Sequence, residues 1–86
     1  SLTAISDHLG VHPSYLSRIY KERTGEGISD RIARIRMEKA AVLLKDSDLK
    51  IYEISEEIGY QNPQYFSKMF RKRFGVAPQE YRDLRR

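Results

Sequence analysis

The 86-residue chain contains two similar stretches, and this internal repeat restricts the folds that are open to it. The offset between the copies is 49 residues up to a central glycine and 50 residues after it, because the second copy has one extra residue. Two copies separated by a stretch that belongs to neither predict a duplicated small unit with a linker. The matched pairs are Ile5/Ile54, Ser6/Ser55, Gly10/Gly59, Pro13/Pro63, Tyr15/Tyr65, Ser17/Ser67 and Gly25/Gly75.

Each copy has the pattern of a helix, a glycine turn and a second helix. In the second copy, Ile51, Ile54 and Ile58 recur at helical spacing and predict one inward stripe. Gly59 then ends the segment, since a residue without Cβ adopts a left-handed conformation at little cost. Asn62 has the right chemistry to cap the following helix. The pattern predicts a helix-turn-helix in each copy.

The chain is therefore predicted to be all-α, one domain over 1–86 with about six helices. The two helix-turn-helix units span 1–27 and 50–86, the second including a C-terminal helix, and a long linker helix spans 28–46. The linker is apolar on more than one side, which predicts neighbours on both sides. The residues expected to face inward include Leu2, Ile5, Leu9, Leu16, Ile19, Tyr20, Ile28, Ile32, Ile35, Met37, Ala40, Leu43, Leu44, Phe66, Phe70, Phe74, Tyr81 and Leu84.

Charge is segregated between the two helices of the second unit. The formal net charge is +4 and the sequence pI is about 9.5, which favours an anionic partner. Residues 63–75 contain no acid and carry Lys68, Arg71, Lys72 and Arg73, whereas the preceding helix carries Glu53, Glu56 and Glu57. A helix with an apolar back and a cationic, amide-bearing front suits the major groove of duplex DNA. We therefore predict a DNA-binding domain.

The outward stripe of each second helix supplies the candidate DNA contacts. Arg18 has the chemistry to read guanine O6/N7, and Gln64 that to read adenine N6/N7. The copies differ at outward positions, which predicts that helices 13–24 and 63–74 read different sequences in successive major grooves of an asymmetric site. The base-reading candidates are Ser14, Ser17, Arg18, Gln64, Ser67 and Lys68, and the phosphate-contacting candidates are His12, Lys21, Asn62, Tyr65, Arg71 and Lys72.

Several other classes of function find no support in the sequence. No nucleophile and base are arranged for catalysis, so we predict no enzymatic activity and no cofactor. His8 and His12 have metal-ligand spacing, but Gly10 interrupts the helix between them and no third ligand is near, so no metal site is predicted. No apolar run approaches the roughly 20 residues that span a bilayer, and cysteine is absent. A cytoplasmic protein without a membrane partner is expected.

Three groups of residues together form the pattern of a known family. They are Ile51, Ile54-Ser55, Gly59-Tyr60, Tyr65-Phe66, Phe70-Arg71-Lys72, Gly75, Pro78 and Tyr81-Arg82 in the second unit; Leu9-Gly10-Val11, Pro13-Ser14-Tyr15-Leu16-Ser17-Arg18, Lys21 and Thr24-Gly25 in the first; and Ile32, Arg36, Ala40 and Leu43-Leu44 in the linker. At these residues the chain resembles the DNA-binding domain of the AraC/XylS family of bacterial transcription regulators, a homeodomain-like fold.

The resemblance implies double-stranded DNA as the partner of a module within a larger regulator. Its remainder is expected to be a sensor or receiver domain, and RNA polymerase is a further candidate partner. Family domains usually begin with another helix that this chain lacks, so the apolar residues of its first helix are expected to lack part of their cover. Arg31 stands where the family usually has tyrosine.

Two alternatives remain open at this stage. A helical protein-interaction module could use the same basic face to dock an acidic partner, and it would prefer that partner to duplex DNA. A protein that coats DNA non-specifically would show no sequence preference at physiological salt. Neither alternative accounts for the duplicated helix pairs as well as an asymmetric two-unit reader of DNA does.

Overall fold

The computed structural model describes all residues from 1 to 86 and contains six α-helices and no strands. The predicted all-α fold with two helix-turn-helix units is confirmed. None of the helices has the length and apolar character that crossing a membrane requires. The helices are α1 (Leu2–Leu9), α2 (Pro13–Thr24), α3 (Ile28–Asp46), α4 (Ile51–Glu57), α5 (Pro63–Phe74) and α6 (Pro78–Arg85).

The chain divides into two compact units, Ser1–Ile35 and Arg36–Arg86, and the boundary falls inside α3. Each unit contains one helix-turn-helix, formed by α1 and α2 in the first unit and by α4 and α5 in the second. We call them unit 1 and unit 2 and describe each by itself.

Unit 2 has a closed apolar core to which three helices contribute. The core residues are Met37, Ala40 and Leu44 from α3, Ile54 and Ile58 at α4, and Phe66 and Phe70 from α5. Burying an aromatic side chain of this size contributes about 3 kcal/mol, so the two phenylalanines hold α5 firmly in place. The α6 residue Tyr81 extends the core, since its ring lies 5.3 Å from that of Phe70 and 5.4 Å from that of Phe74.

Two arginines, Arg82 of α6 and Arg86 just beyond it, donate to carbonyl groups at the end of α3, Arg86 to those of Lys45 and Ser47. A helix leaves its last carbonyl groups without partners inside the helix. The half-buried Arg82 donates from Nε to the carbonyl oxygen of Leu44 at 3.0 Å and from Nη2 to those of Leu49 at 2.7 Å and Ser47 at 3.3 Å. The guanidinium thereby ties α6 to the end of α3 and to the segment before α4.

Unit 1 is less closed. Its buried residues are Ser6 and Ile28, and α2 has none. The expected inward positions Leu16, Ile19 and Tyr20 are half-buried. Several apolar side chains instead line an open groove of about 270 Å³, formed by Ile5, Leu16, Tyr20, Ile28, Arg31, Ile32 and Ile35.

The structure contradicts the predicted burial at a few positions. Ile35 is 49% exposed because it lies at the open groove of unit 1, where no side chain covers it. Ile5 and Leu9, which were expected to lack part of their cover, are exposed on α1. Leu84 is 69% exposed. It lies one turn beyond Tyr81, which already completes the aromatic cluster, so the last turn of α6 has no apolar surface to meet.

Two serines that match in the repeat are fully buried, which the sequence did not predict. Ser6 and Ser55 occupy the same place in α1 and α4, and each has no exposed surface. The Ser6 hydroxyl donates to the carbonyl oxygen of Thr3 at 2.9 Å, and that of Ser55 donates to the carbonyl oxygen of Tyr60 at 3.2 Å. Because both hydroxyls are hydrogen-bonded, their burial carries no unpaired polar atom.

Candidate nucleic-acid interface

The helices α2 and α5 begin with side-chain caps at matched positions. Nδ1 of His12 accepts a hydrogen bond from the backbone N–H of Ser14 at 3.1 Å. Oδ1 of Asn62 accepts from the N–H groups of Gln64 at 2.9 Å and Tyr65 at 3.1 Å. Such caps satisfy N–H groups that the helix itself leaves free. The predicted Asn62 cap is confirmed, and His12 has a capping role that the sequence did not indicate.

The turns before α2 and α5 depend on glycine. Gly10 has φ of 71° and Gly59 has φ of 96°, both in the left-handed region that favours a residue without Cβ. A Cβ at Gly59 would also contact the guanidinium group of Arg36 at 3.4 Å, whereas nothing lies within 4 Å of the same point at Gly10. The second turn is therefore closed against α3.

Ion pairs with arginines of α3 hold the loop that follows α2. Glu26 accepts a hydrogen bond from Nη2 of Arg34 at 2.9 Å, and Nη1 of Arg31 lies 3.7 Å from the same carboxylate oxygen. Arg31, the residue that departs from the family pattern, therefore pairs with a carboxylate beside the end of α2. The pair of arginines fixes the turn that leads from α2 into α3.

In unit 1 the predicted base-reading residues lie together on the surface of α2. Ser14 and Arg18 are exposed, and Ser17 is half-buried. Along with Lys21 and the apolar Leu2 and Pro13, they line an open cleft of about 420 Å³. The lining of this cleft therefore combines cations, hydroxyl groups and apolar groups.

In unit 2 the predicted contacts follow one side of α5. Gln64, Lys68, Arg71 and Lys72 are exposed, and Ser67 is half-buried. This face lies opposite the buried Phe66 and Phe70, which fix the rotation of the helix about its axis. Tyr65 and Asn62 lie exposed at the start of the helix.

The proposed DNA-facing cations have no carboxylate partner. Ion pairs in unit 2 join Arg73 to Glu38, Lys39 to Glu57 and Arg86 to Asp48. No carboxylate oxygen lies within 4.0 Å of Arg18, Lys21, Lys68, Arg71 or Lys72. Their charge is therefore available to an anion without breaking an existing ion pair.

The sequence interpretation missed contacts between arginines and aromatic rings in both units. In unit 1 the Arg18 guanidinium lies 5.6 Å from the centre of the Tyr15 ring. In unit 2 the Arg36 guanidinium lies 5.3 Å from the centre of the Tyr60 ring, and that ring lies 6.0 Å from Tyr65. The three-residue spacing of Tyr15 and Arg18 was a usable signal, whereas the contact of Arg36 with Tyr60 joins residues far apart in the chain.

Comparisons with known proteins agree with this architecture. A family model described as a helix-turn-helix domain matches residues 5–84. The chain is 42% identical over 81 residues to the transcriptional regulatory protein YesN of Bacillus subtilis, covering 92% of this chain and 22% of YesN. It is 40% identical over 80 residues to the xylose operon regulatory protein of Escherichia coli K12, covering 93% of this chain and 20% of that protein.

A solved structure shows the same arrangement of helices. The C-terminal domain of AraT, a response regulator from Geobacillus stearothermophilus, superposes with a TM-score of 0.93 at 44% identity, covering 99% of this chain and 70% of that one. The chain spans 22% and 20% of the length of the two curated relatives. The family model, the relatives and the paired helix-turn-helix units together show that the chain belongs to the AraC-type helix-turn-helix family and is a sequence-specific DNA-binding domain.

Proposed function

We propose that α2 and α5 lie in successive major grooves of one asymmetric duplex site and read different bases there. Ser14, Ser17 and Arg18 contact base edges from α2. Gln64, Ser67 and Lys68 do so from α5. The observation that carries this proposal is the exposed, cationic and unpaired outer face of both capped helices. Such a face offers hydrogen-bond donors to bases and charge to phosphates.

The roles of individual side chains follow from their hydrogen-bonding groups. Arg18 donates two parallel hydrogen bonds to guanine O6 and N7, and the Gln64 amide bonds adenine N6 and N7. The serine hydroxyls reach either a base or the backbone. Lys68 is a point charge with rotatable donors, so it recognises guanine with less geometric demand than arginine does.

The phosphate contacts flank these base contacts. Lys21 in unit 1 and Arg71 and Lys72 in unit 2 are exposed one turn beyond the base-reading side chains. His12 is suited to the same role: with Nδ1 accepting the capping bond, the proton of the neutral ring sits on Nε2, which donates outward. Asn62 and Tyr65 complete the set at the start of α5.

The chain is proposed to act as one module of a larger bacterial regulator. Its curated relatives are about five times its length, and they are named as regulatory proteins. The remainder of such a protein would be a sensor or receiver domain, acting in the cytoplasm. RNA polymerase is proposed as a partner of the DNA-bound regulator.

The proposal is tested by selecting bound duplexes from a random pool at physiological salt and sequencing them. We expect a non-palindromic motif with two blocks about 10 bp apart, since successive major grooves on one side of DNA are one helical turn apart. Arg18→Ala should remove the preference at one position of one block, and Lys68→Ala should do so in the other. Each loss should amount to roughly 1–3 kcal/mol for that base pair.

The same selection experiment can also contradict the proposal. A single enriched block would show that only one unit reads sequence. If Arg18→Ala or Lys68→Ala weakens binding to all duplexes equally, that residue belongs with the phosphate contacts. Exchange of an exposed lysine outside the proposed contacts, Lys45→Ala, is the matched control and should leave both blocks unchanged.

A further inference from the structure

We infer that Tyr15 is a positioning residue that holds the Arg18 guanidinium in the orientation needed to discriminate bases. The inference rests on the proposed base-reading role of Arg18 and adds a residue that acts through it. Tyr15 itself touches no base in this arrangement. Its effect is on how strongly unit 1 distinguishes one base pair from another.

The geometry of the pair supports this role. Tyr15 and Arg18 are three residues apart on α2, a spacing that places side chains on neighbouring positions of the helix surface. The guanidinium carbon lies 5.6 Å from the ring centre, within the range of a cation–π contact. Tyr15 is 51% exposed, so the contact forms on the surface of the helix, where it is available to order a side chain at the interface.

An ordered guanidinium matters for reading guanine. Arginine recognises guanine through two parallel hydrogen bonds from a planar group, and its long side chain loses rotamer freedom when both form. A ring that already restricts the side chain reduces the freedom lost on binding. Because the second hydrogen bond is the one that a wrong base lacks, this restriction increases discrimination more than it increases attraction to DNA in general.

The matched tyrosine of unit 2 is used differently, which indicates that the contact is specific to unit 1. Tyr65 is also 51% exposed, but its ring lies 6.0 Å from Tyr60, and no guanidinium or ammonium group stacks on it. The turn of unit 1 has Val11 where unit 2 has Tyr60. Because valine has no aromatic ring for Tyr15 to contact, the Tyr15 ring contacts Arg18 instead.

The test measures the ratio of dissociation constants for two duplexes at physiological salt. One is the selected site, and the other differs only at the base pair whose preference Arg18→Ala removes. Tyr15→Leu should lower this ratio about two- to five-fold, the range of an exposed cation–π contact. Tyr15→Phe keeps the ring and should retain the wild-type ratio. In the Arg18→Ala background, Tyr15→Leu should have no further effect on the ratio.

Two further variants separate this role from other roles of surface tyrosines. Tyr52→Leu removes a tyrosine of similar exposure, 54%, from α4 and should leave the ratio unchanged. Tyr65→Leu removes a proposed phosphate contact and should weaken binding to both duplexes equally. Circular dichroism of each variant checks that helix content is retained.

The outcomes distinguish the inference from the proposal beneath it. If Arg18→Ala removes no base preference, the proposed role of Arg18 is wrong and the inference falls with it. If Arg18→Ala removes a preference but Tyr15→Leu keeps the wild-type ratio, the inference alone is overturned. It is equally overturned if Tyr15→Phe behaves as Tyr15→Leu does, because the hydroxyl, and not the ring, would then be responsible.

Discussion

The Arg82 side chain donates to three backbone carbonyl oxygens near the end of α3, and its loss leaves all three without that partner. A hydrogen bond to a charged group contributes about 1.5–3 kcal/mol, and truncation leaves the carbonyl oxygens of Leu44 and Leu49 without a side-chain donor, whereas that of Ser47 retains a bond from Arg86. Arg82→Ala should therefore lower the free energy of unfolding by about 2–4 kcal/mol in urea denaturation followed by circular dichroism. Arg82→Lys should recover little of this stability, because a compact ammonium group cannot reach all the acceptors that the planar guanidinium group reaches.

The neighbouring Arg85 is the matched control for this prediction. It is exposed, and its guanidinium lies 4.9 Å from the centre of the Tyr81 ring, a contact worth at most about 1 kcal/mol at the surface. Equal destabilisation by Arg82→Ala and Arg85→Ala would contradict the structural role assigned to the carbonyl contacts. The urea midpoints of both variants decide the matter.

At the same scale, the sequence indicated which residues lie on the recognition helices but not what several of them contact. The cap by Asn62 was predictable because it joins residues two and three positions apart. The bond from Arg82 to the carbonyl of Leu44 spans 38 residues, and no local pattern identifies such a partner. Capping by His12 was missed because histidine is not among the residues usually found at this position.

At the level of secondary structure, the two glycine turns differ in how well they tolerate substitution of the glycine. Replacing either glycine with alanine forces an L-residue into the left-handed region, at a cost of about 1–2 kcal/mol. Gly59→Ala also brings Cβ to 3.4 Å from the Arg36 guanidinium, whereas the same change at Gly10 meets nothing within 4 Å. The φ of Gly59, 96°, is also further than the 71° of Gly10 from the left-handed value of about 57° that L-residues adopt. Gly59→Ala should therefore lower the melting temperature more than Gly10→Ala does, as measured by circular dichroism.

A second substitution identifies the source of any difference between the turns. Arg36→Ala combined with Gly59→Ala removes the contact between the new Cβ and the guanidinium group and retains the backbone strain. If the double variant loses as much as the sum of the single variants, the guanidinium does not restrict the turn, and the contact assigned to Arg36 is wrong.

Helix ends were predictable because glycine, proline and capping residues act locally. The bounds of α2 and α5 at Pro13–Thr24 and Pro63–Phe74 agree with the prediction for this reason. Burial was predicted less well. Helical periodicity identifies a common face, but whether another element covers that face depends on distant parts of the chain. Ile35 and Leu84 follow the periodic pattern and yet remain largely exposed.

For the whole molecule, the unpaired cations predict a strong dependence of binding on salt. Each phosphate neutralised releases condensed counterions, so removing one contact lowers the slope of log affinity against log salt by roughly 1. We expect that change for Lys21→Ala and again for Lys72→Ala, measured by fluorescence anisotropy across a salt series. Lys45→Ala, which changes an exposed lysine outside the proposed contacts, should leave the slope unaltered.

A variant that carries both substitutions tests this prediction further. Lys21→Ala with Lys72→Ala should lower the slope by about twice the single change, since the two lysines are proposed to contact different phosphates. An unchanged slope in either single variant would exclude that lysine from the phosphate contacts, whatever happens to the affinity itself.

The repeat predicted the architecture of the molecule but not the difference between its halves. Ile5 and Ile54 occupy matched positions, yet Ile54 is fully buried and Ile5 is exposed. The cause lies outside the repeat: α6 and the C-terminal part of α3 supply Tyr81, Met37 and Leu44 to the core of unit 2. A matched local sequence therefore indicates a matched backbone, whereas the closeness of packing depends on what surrounds it.

The caps of the recognition helices have a consequence for how such a domain changes over evolutionary time. His12 and Asn62 bond the backbone N–H groups of Ser14 and Gln64, so the helix start does not depend on which side chains those two positions carry. Both side chains are exposed as well. Under the base contacts proposed for Ser14 and Gln64, substitutions there would alter the DNA sequence preferred and leave folding almost unchanged. The DNA sequence preferred by each unit would then change independently of the other unit, through variants that remain folded.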